Sequence, residues 1–167
     1  ISARNGLLIR DRTAFEAARD LDAIVFDKTG TLTEGRFGVT DIVPLGDMDE
    51  TRILTLAASI ESQSEHPIAA GVVRSAEERD IRPPQPKGFR AIPGKGAEAT
   101  VEGTNIKVVS PGYLREARIE IESDEVRRVG DEGKTVVFVL ADDRLVGAIA
   151  LADVIRPESR EAIDRLK

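Results

Sequence analysis

The chain has 167 residues, 41% of them apolar, and a net charge of −6, so it can bury one or two small cores and presents no basic face for nucleic acid. Zero cysteines remove disulfides and thiolate metal sites and fit a reducing compartment, and one Tyr with no Trp leaves only a small base-stacking surface. No stretch approaches the roughly 18 uninterrupted apolar residues of a membrane span, and none reads as a signal peptide.

The start at Ile1, where Met is expected, reads as a fragment boundary. Asp11 or Thr13 is placed to cap a short helix over Thr13–Asp20, whose Phe15 and Ala18 share a face with Leu21. Ala23-Ile24-Val25-Phe26 then reads as a short buried strand with the carboxylate of Asp27 at its C-terminal end, where open α/β sheets place ligands. Lys28, Thr29, Gly30, Thr31 and Thr33 follow in a turn-prone segment whose amides, hydroxyls and ammonium can cradle a tetrahedral anion. Asp27 is thereby aimed at a phosphoryl group as a nucleophile. An Asp-Lys-Thr alone would read as a turn cap; the run Asp27-Lys28-Thr29-Gly30-Thr31-Leu32-Thr33 is far more specific. It resembles the phosphorylation motif of P-type ATPases, within the haloacid dehalogenase superfamily. The resemblance implies that Asp27 takes the γ-phosphate of ATP, with Mg²⁺ held by Asp27 and the backbone carbonyl of Thr29, and with Lys28, Thr29, Gly30 and Thr31 at the phosphate. Many superfamily hydrolases carry an Asp two residues after the nucleophile as general acid/base; Thr29 cannot move that proton at neutral pH, which suits a long-lived acyl-phosphate.

Beyond Gly35 the pattern changes. Val39–Leu45 alternates and stops at Pro44, as an edge strand does. Asp47 or Asp49 caps a helix from about Glu50 to Ser62, with Ile53, Leu56, Ala57 and Ile60 at helical spacing. A second helix runs from Pro67, at the first helical position, to Arg79. Arg82-Pro83-Pro84-Gln85-Pro86 is a stiff connector. Between the helices lies His66, the sole histidine, which in isolation reads as a helix-cap residue. Ser64-Glu65-His66-Pro67, however, is similar to the nucleotide-binding motif of heavy-metal P-type ATPases. That resemblance implies that His66 contacts adenine and that Glu61 accepts from its amino edge. Both roles are chemically sound: a neutral imidazole stacks without adding charge, and a carboxylate only accepts.

Residues 87–109 read as a meander of three strands, with Glu102-Gly103-Thr104-Asn105 as a hairpin turn and Gly94-Lys95-Gly96 joining the first two. A Gly-x-Gly by itself is an ordinary turn; in the family one packs against the nucleotide, which implicates Gly94 and Gly96. Lys95 either attracts phosphates or is simply solvated. Ser110-Pro111 opens a short helix where many heavy-metal members carry a Gly-Asn nucleotide contact, so no residue is assigned there; the variant resembles the CopB-type copper or silver exporter branch. A helix from about Ser123 to Asp131 ends before Gly133, with Asp124 and Arg128 paired on a solvated face. Thr135–Leu140 and Leu145–Leu151 form an apolar hairpin of central strands, and a helix begins near Pro157.

The expected architecture is α/β: an antiparallel sheet with flanking helices, residues 37–152, forming a nucleotide-binding domain. It is inserted into an incomplete Rossmann-like phosphorylation domain represented by residues 1–36 and 153–167. The Thr-Gly-Asp segment, phosphate-neutralising Lys and Gly-Asp-Gly Mg²⁺ site of a complete family domain do not occur in the sequence. The expected function is therefore the ATP- and Mg²⁺-binding cytoplasmic part of a metal-exporting membrane pump. This part is monomeric and soluble, binds ATP or ADP, and autophosphorylates poorly. Its partners would be the remaining phosphorylation, actuator and transmembrane domains. Two other classes compete: a soluble haloacid-dehalogenase phosphatase, and a non-catalytic nucleotide-binding regulatory module. Thr29 and the insertion bearing Glu61 and His66 weigh against the phosphatase.

Overall fold

The computed structural model describes residues 11, 13 and 21–166. Among them, β1 (Thr33–Pro44), β2 (Lys87–Ile92), β3 (Gly96–Val101), β4 (Thr104–Val109), β5 (Thr135–Ala141) and β6 (Arg144–Ile155) form one sheet in the order β1-β6-β5-β4-β3-β2. Every neighbouring pair is antiparallel. The helices are α1 (Glu50–Glu61), α2 (Pro67–Glu77), α3 (Pro111–Ala117), α4 (Asp124–Asp131) and α5 (Pro157–Leu166).

The sheet is covered on both faces, which is why β5 and β6 read as nearly continuous apolar runs rather than alternating ones. On one face Ile53, Leu56, Ala57 and Ile60 of α1 and Val72 and Ala76 of α2 pack on Val101, Ile106, Val108, Val139 and Ile149. On the other, Leu114 of α3 and Val126 of α4 meet Val43, Val109, Phe138, Leu140 and Ala148. The expected helical face of α1 is right but too narrow: Leu54, Ala58 and Ser59 are buried as well, because α1 is enclosed by α2 as well as by the sheet. Asp49, not Asp47, caps α1, its carboxylate accepting from the Arg52 N–H at 2.7 Å. Tight turns at Glu102-Gly103 and Asp142-Asp143 use left-handed backbone at both central residues, the geometry that matches strand twist.

Edge strand β1 starts at Thr33, earlier than its alternation suggests, because it pairs with β6 along its length from Thr33↔Ile155 to Pro44↔Gly147. Its irregular register frees the Val39 N–H, which donates to Ser75 Oγ on α2 at 3.0 Å. In α4 the expected Asp124–Arg128 pair is replaced: Asp124 meets Arg127, and Arg128 meets Glu125, Glu132 and Asp41. Arg128 thereby reaches β1 at Asp41, which also holds Lys134 at 2.7 Å.

The largest departure concerns residues 23–27. They form no strand, and Val25 is 96% exposed. A four-residue run becomes a strand only when a neighbour pairs with its backbone and its faces are covered. Among the described residues no strand pairs with it, so Asp27 closes an open, exposed segment rather than a buried one. The helix expected over Thr13–Asp20 lies outside the described residues except for Thr13, whose N–H donates to Asp11 Oδ1 at 2.8 Å.

Candidate functional site

Two concavities hold sequence-predicted residues, five in one and Lys28 in the other. The first, of about 410 Å³, lies between the α1–α2 junction and the β2–β3 turn. Glu61, His66, Gly94, Lys95 and Gly96, spread over 36 positions of sequence, all line it, with Ser64 beside them and Ile68, Phe89 and Val108 among its apolar walls. An apolar slot with a few polar groups is the ordinary form of a small-molecule site.

Each residue arrives there for a local reason. Glu61 ends α1 on its buried side and is only 8% exposed. Burial pushes its pKa up from 4.5 to about 7, against the pull of a hydrogen bond from Ser64. In the free chain it therefore keeps a proton close to neutrality, whereas the sequence treats it as an ionised acceptor. His66 is the N-cap of α2, its Nδ1 accepting the Ile68 N–H at 3.2 Å. The cap role that the residue suggests in isolation and its place in the cavity hold together.

The two glycines differ. Gly94, at φ +69°, has open space where a Cβ would stand. Gly96, at φ +138°, has the Val108 carbonyl oxygen 2.0 Å from that position, so β4 by itself demands glycine there. Lys95 is held through both its backbone and its side chain. Its N–H donates to Ile92 O at 2.9 Å, its carbonyl accepts from Ser110 N at 2.7 Å, and its ammonium pairs with Glu116 on α3.

The second concavity, a groove of about 730 Å³, runs beside the β1–β6 ribbon and α5 and is lined by Lys28, Thr33, Phe37, Lys134, Asp153 and Ile163, among others. Lys28–Leu32 forms one π-helical turn after Asp27. Here the structure supplies residues that the sequence reading passed over. Thr33 is buried; its hydroxyl accepts from Gly30 N at 3.2 Å and lies 2.5 Å from Asp153 Oδ2 and 3.0 Å from Lys28 O. Having one proton, it gives that proton to the carboxylate or to the carbonyl, and the carboxylate is the closer. Asp153 Oδ1 accepts from Arg36 N at 2.9 Å. Arg156 closes the other side, donating from its backbone to Leu32 O and from its guanidinium to Thr33 O and Gly30 O. Asp153 and Arg156 thus pin the loop after Asp27 from 120 residues away. Their spacing at the end of an apolar strand was the only available signal, and it does not distinguish a clamp from a solvated strand end.

The two concavities share no lining residue, and Asp27 is not among the residues lining either of them. No cluster of three or more His, Cys, Asp or Glu poised for a metal occurs among the described residues.

A model of the haloacid dehalogenase-like hydrolases matches residues 21–167. The chain belongs to that family. Within it, the copper-exporting P-type ATPase B of Archaeoglobus fulgidus is 57% identical over 167 residues, 100% of this haloacid dehalogenase-like chain and 24% of the relative. A similar protein of the same description from Enterococcus hirae is 39% identical, again over 100% of this chain, and 23% of its own length is covered. The chain therefore spans about a quarter of the length of the curated relatives it matches. Among solved structures, a zinc-transporting PIB-type ATPase in the E2.Pi state superposes with a TM-score of 0.84 at 34% identity, over 99% of this chain and 27% of that one. The likeness expected from the Asp27 motif is thus found along the whole haloacid dehalogenase-like chain. Among the described residues no helix is long and apolar enough to cross a membrane.

Proposed function

We propose that this chain is the ATP-binding cytoplasmic part of a P-type ATPase that exports heavy-metal ions, copper or silver, with Asp27 as the phosphate-accepting nucleophile. The observation that carries the reading is the convergence of Glu61, His66, Gly94, Lys95 and Gly96 on one apolar-walled cavity, together with the Asp27–Thr33 motif on the other lobe. The copper assignment is supported by the relatives, which are described as copper-exporting. The domain division follows the same reading: residues 37–152 grip the nucleotide, and 1–36 with 153–167 belong to the phosphorylation domain. The β1–β6 ribbon connects the two. Partners of this part are the remaining phosphorylation, actuator and transmembrane domains of the pump.

In this reading the purine lies between the His66 ring and the Gly94–Gly96 turn. Glu61 receives the adenine amino group, releasing its proton as it does so. Lys28 and the amides of Thr29, Gly30 and Thr31 surround the γ-phosphate. One Asp27 oxygen forms the new bond to phosphorus, the bond to the β–γ bridging oxygen breaks, and ADP leaves. The Asp27 carboxylate and the Thr29 carbonyl would hold Mg²⁺, an all-oxygen pair of donors that suits a hard cation. When bound, it supplies charge neutralisation at the phosphates. Because Asp27 is exposed, water competes for its charge, and transfer in this chain by itself is slow. Calorimetric titration of the chain with ATP and ADP tests the reading. Saturable heat that is lost in His66→Ala supports it, and absence of heat with both nucleotides refutes it.

A further inference from the structure

Four residues of α2 form one stripe. Ile68, Gly71, Val72 and Ser75 stand at i, i+3, i+4 and i+7, so they share one face of the helix. At the N-terminal end of the stripe, Ile68 walls the smaller cavity. Two turns further on, roughly 10 Å along the axis, the same face meets β1. A Cβ on Gly71 would stand 2.8 Å from the Phe37 carbonyl oxygen, so helix backbone lies directly on strand backbone. Ser75, only 6% exposed, accepts the Val39 N–H at 3.0 Å. That amide is available because the pairing of β1 with β6 slips between Val39 and Asp41. A helix side chain, not the sheet, therefore satisfies the strand at its irregular point.

From there β1 leads to the loop after Asp27. Three residues before Val39, the Arg36 N–H donates to Asp153 Oδ1. The other oxygen of that carboxylate meets the Thr33 hydroxyl, which accepts from Gly30 N. Only Phe37 and Gly38 separate the two holds on β1. Three strand residues span about 10 Å and stretch very little, so motion of α2 at Ser75 passes along the strand to Asp153 and Thr33.

We propose that α2 relays occupancy of the cavity to the Asp27 loop, with Ser75 as the positioning residue that makes the connection. The relay rests on the nucleotide-binding reading above and adds to it a physical link between the two lobes. A base against the first turn of α2 restrains the helix, and the restrained helix holds the Val39 amide more persistently. β1 then keeps Arg36 and Thr33 on Asp153, and the Gly30 amide opens less often. The mean structure need not change. Without the Ser75 hydroxyl, only the undirected contact at Gly71 remains, and the two ends move independently.

Hydrogen exchange at Val39 and Gly30, with and without saturating ADP, reads the relay in the chain itself, and calorimetry reads ADP affinity. In the wild type, ADP should slow both amides at least about 3-fold. Ser75→Ala should keep ADP affinity within about 3-fold and leave Gly30 exchange in the free chain unchanged. It should quicken Val39 and abolish the slowing of Gly30 by ADP. A Ser75 that served local stability alone, or a phosphate that touched Gly30 directly, would leave that slowing in place. Its persistence in Ser75→Ala, faster Gly30 exchange in the free variant, or an unaltered Gly30 in wild type saturated with ADP overturns the relay and leaves the nucleotide reading intact. Absence of any ADP heat in calorimetry refutes that reading and the relay with it.

Discussion

Glu61→Gln isolates a titration that burial has displaced. The carboxyl is nearly enclosed at the end of α1, and its pKa rises from 4.5 to about 7 because the ionised form is deprived of water. The sign follows from proton counts. Between those values the native chain holds a proton that the unfolded chain has lost, so stability falls as pH rises. Below 4.5 both states are protonated and above about 7 both are ionised, and the contribution is flat at either end. Integrated over the displacement from 4.5 to about 7, the loss is about 3 kcal/mol. Glutamine keeps the shape and still hydrogen-bonds Ser64, but it does not ionise. Urea unfolding at pH 5 and pH 8 should therefore place Glu61→Gln within about 1 kcal/mol of wild type at the lower pH and about 3 kcal/mol above it at the higher. Taking the difference between the two proteins cancels every other titrating group. Asp41 provides the opposite sign: the Lys134 hydrogen bond holds its carboxyl below the ordinary 3.8, so its contribution is present at neutral pH and lost on acidification. Parallel stability curves for wild type and Glu61→Gln, or a gap that narrows with rising pH, would refute the account of Glu61.

Two glycine substitutions should separate backbone obstruction from side-chain obstruction. Gly96→Ala sets a Cβ 2.0 Å from the Val108 carbonyl at φ +138° and should cost more than about 3 kcal/mol in thermal unfolding. Gly147→Ala meets the Ile53 Cδ1 at 2.6 Å, the end of a side chain that can turn aside, and should cost about 1–2 kcal/mol; the reverse order would contradict the geometry. Asp153→Ala removes the acceptor for Thr33 and for the Arg36 amide, so hydrogen exchange at Gly30 and Arg36 should quicken about 10-fold while ADP affinity stays as in wild type. Unchanged exchange would show that Asp153 does not pin the loop.

Much of the fold was legible because its signals are local. Apolar spacing gave α1 and α2 to within two residues at their ends, Pro44 closed β1, and the hairpin at Glu102-Gly103 announced itself. The candidate site rests on a different kind of signal: the Asp27–Thr33 run and the Ser64–Pro67 run are specific enough to resemble a family's motifs whole. The strand at residues 23–26 was misread because its signal, four apolar residues before an acid, says nothing about whether a pairing partner exists. The clamp of Asp153 and Arg156 on the loop was passed over because hydrogen bonds spanning about 120 residues leave no pattern in either stretch.

The order of residues by itself pointed to most of the helices and strands, the run at 23–26 excepted, since periodicity is a property of neighbours. Only the tertiary structure decided that the far ends of α1 and the β2–β3 turn share one cavity. It decided, too, that Glu61 holds its proton near neutrality and that Gly96 answers to Val108. Proximity and loss of water arise only when distant segments pack together, and in this chain they set both the shape of the site and the charge within it.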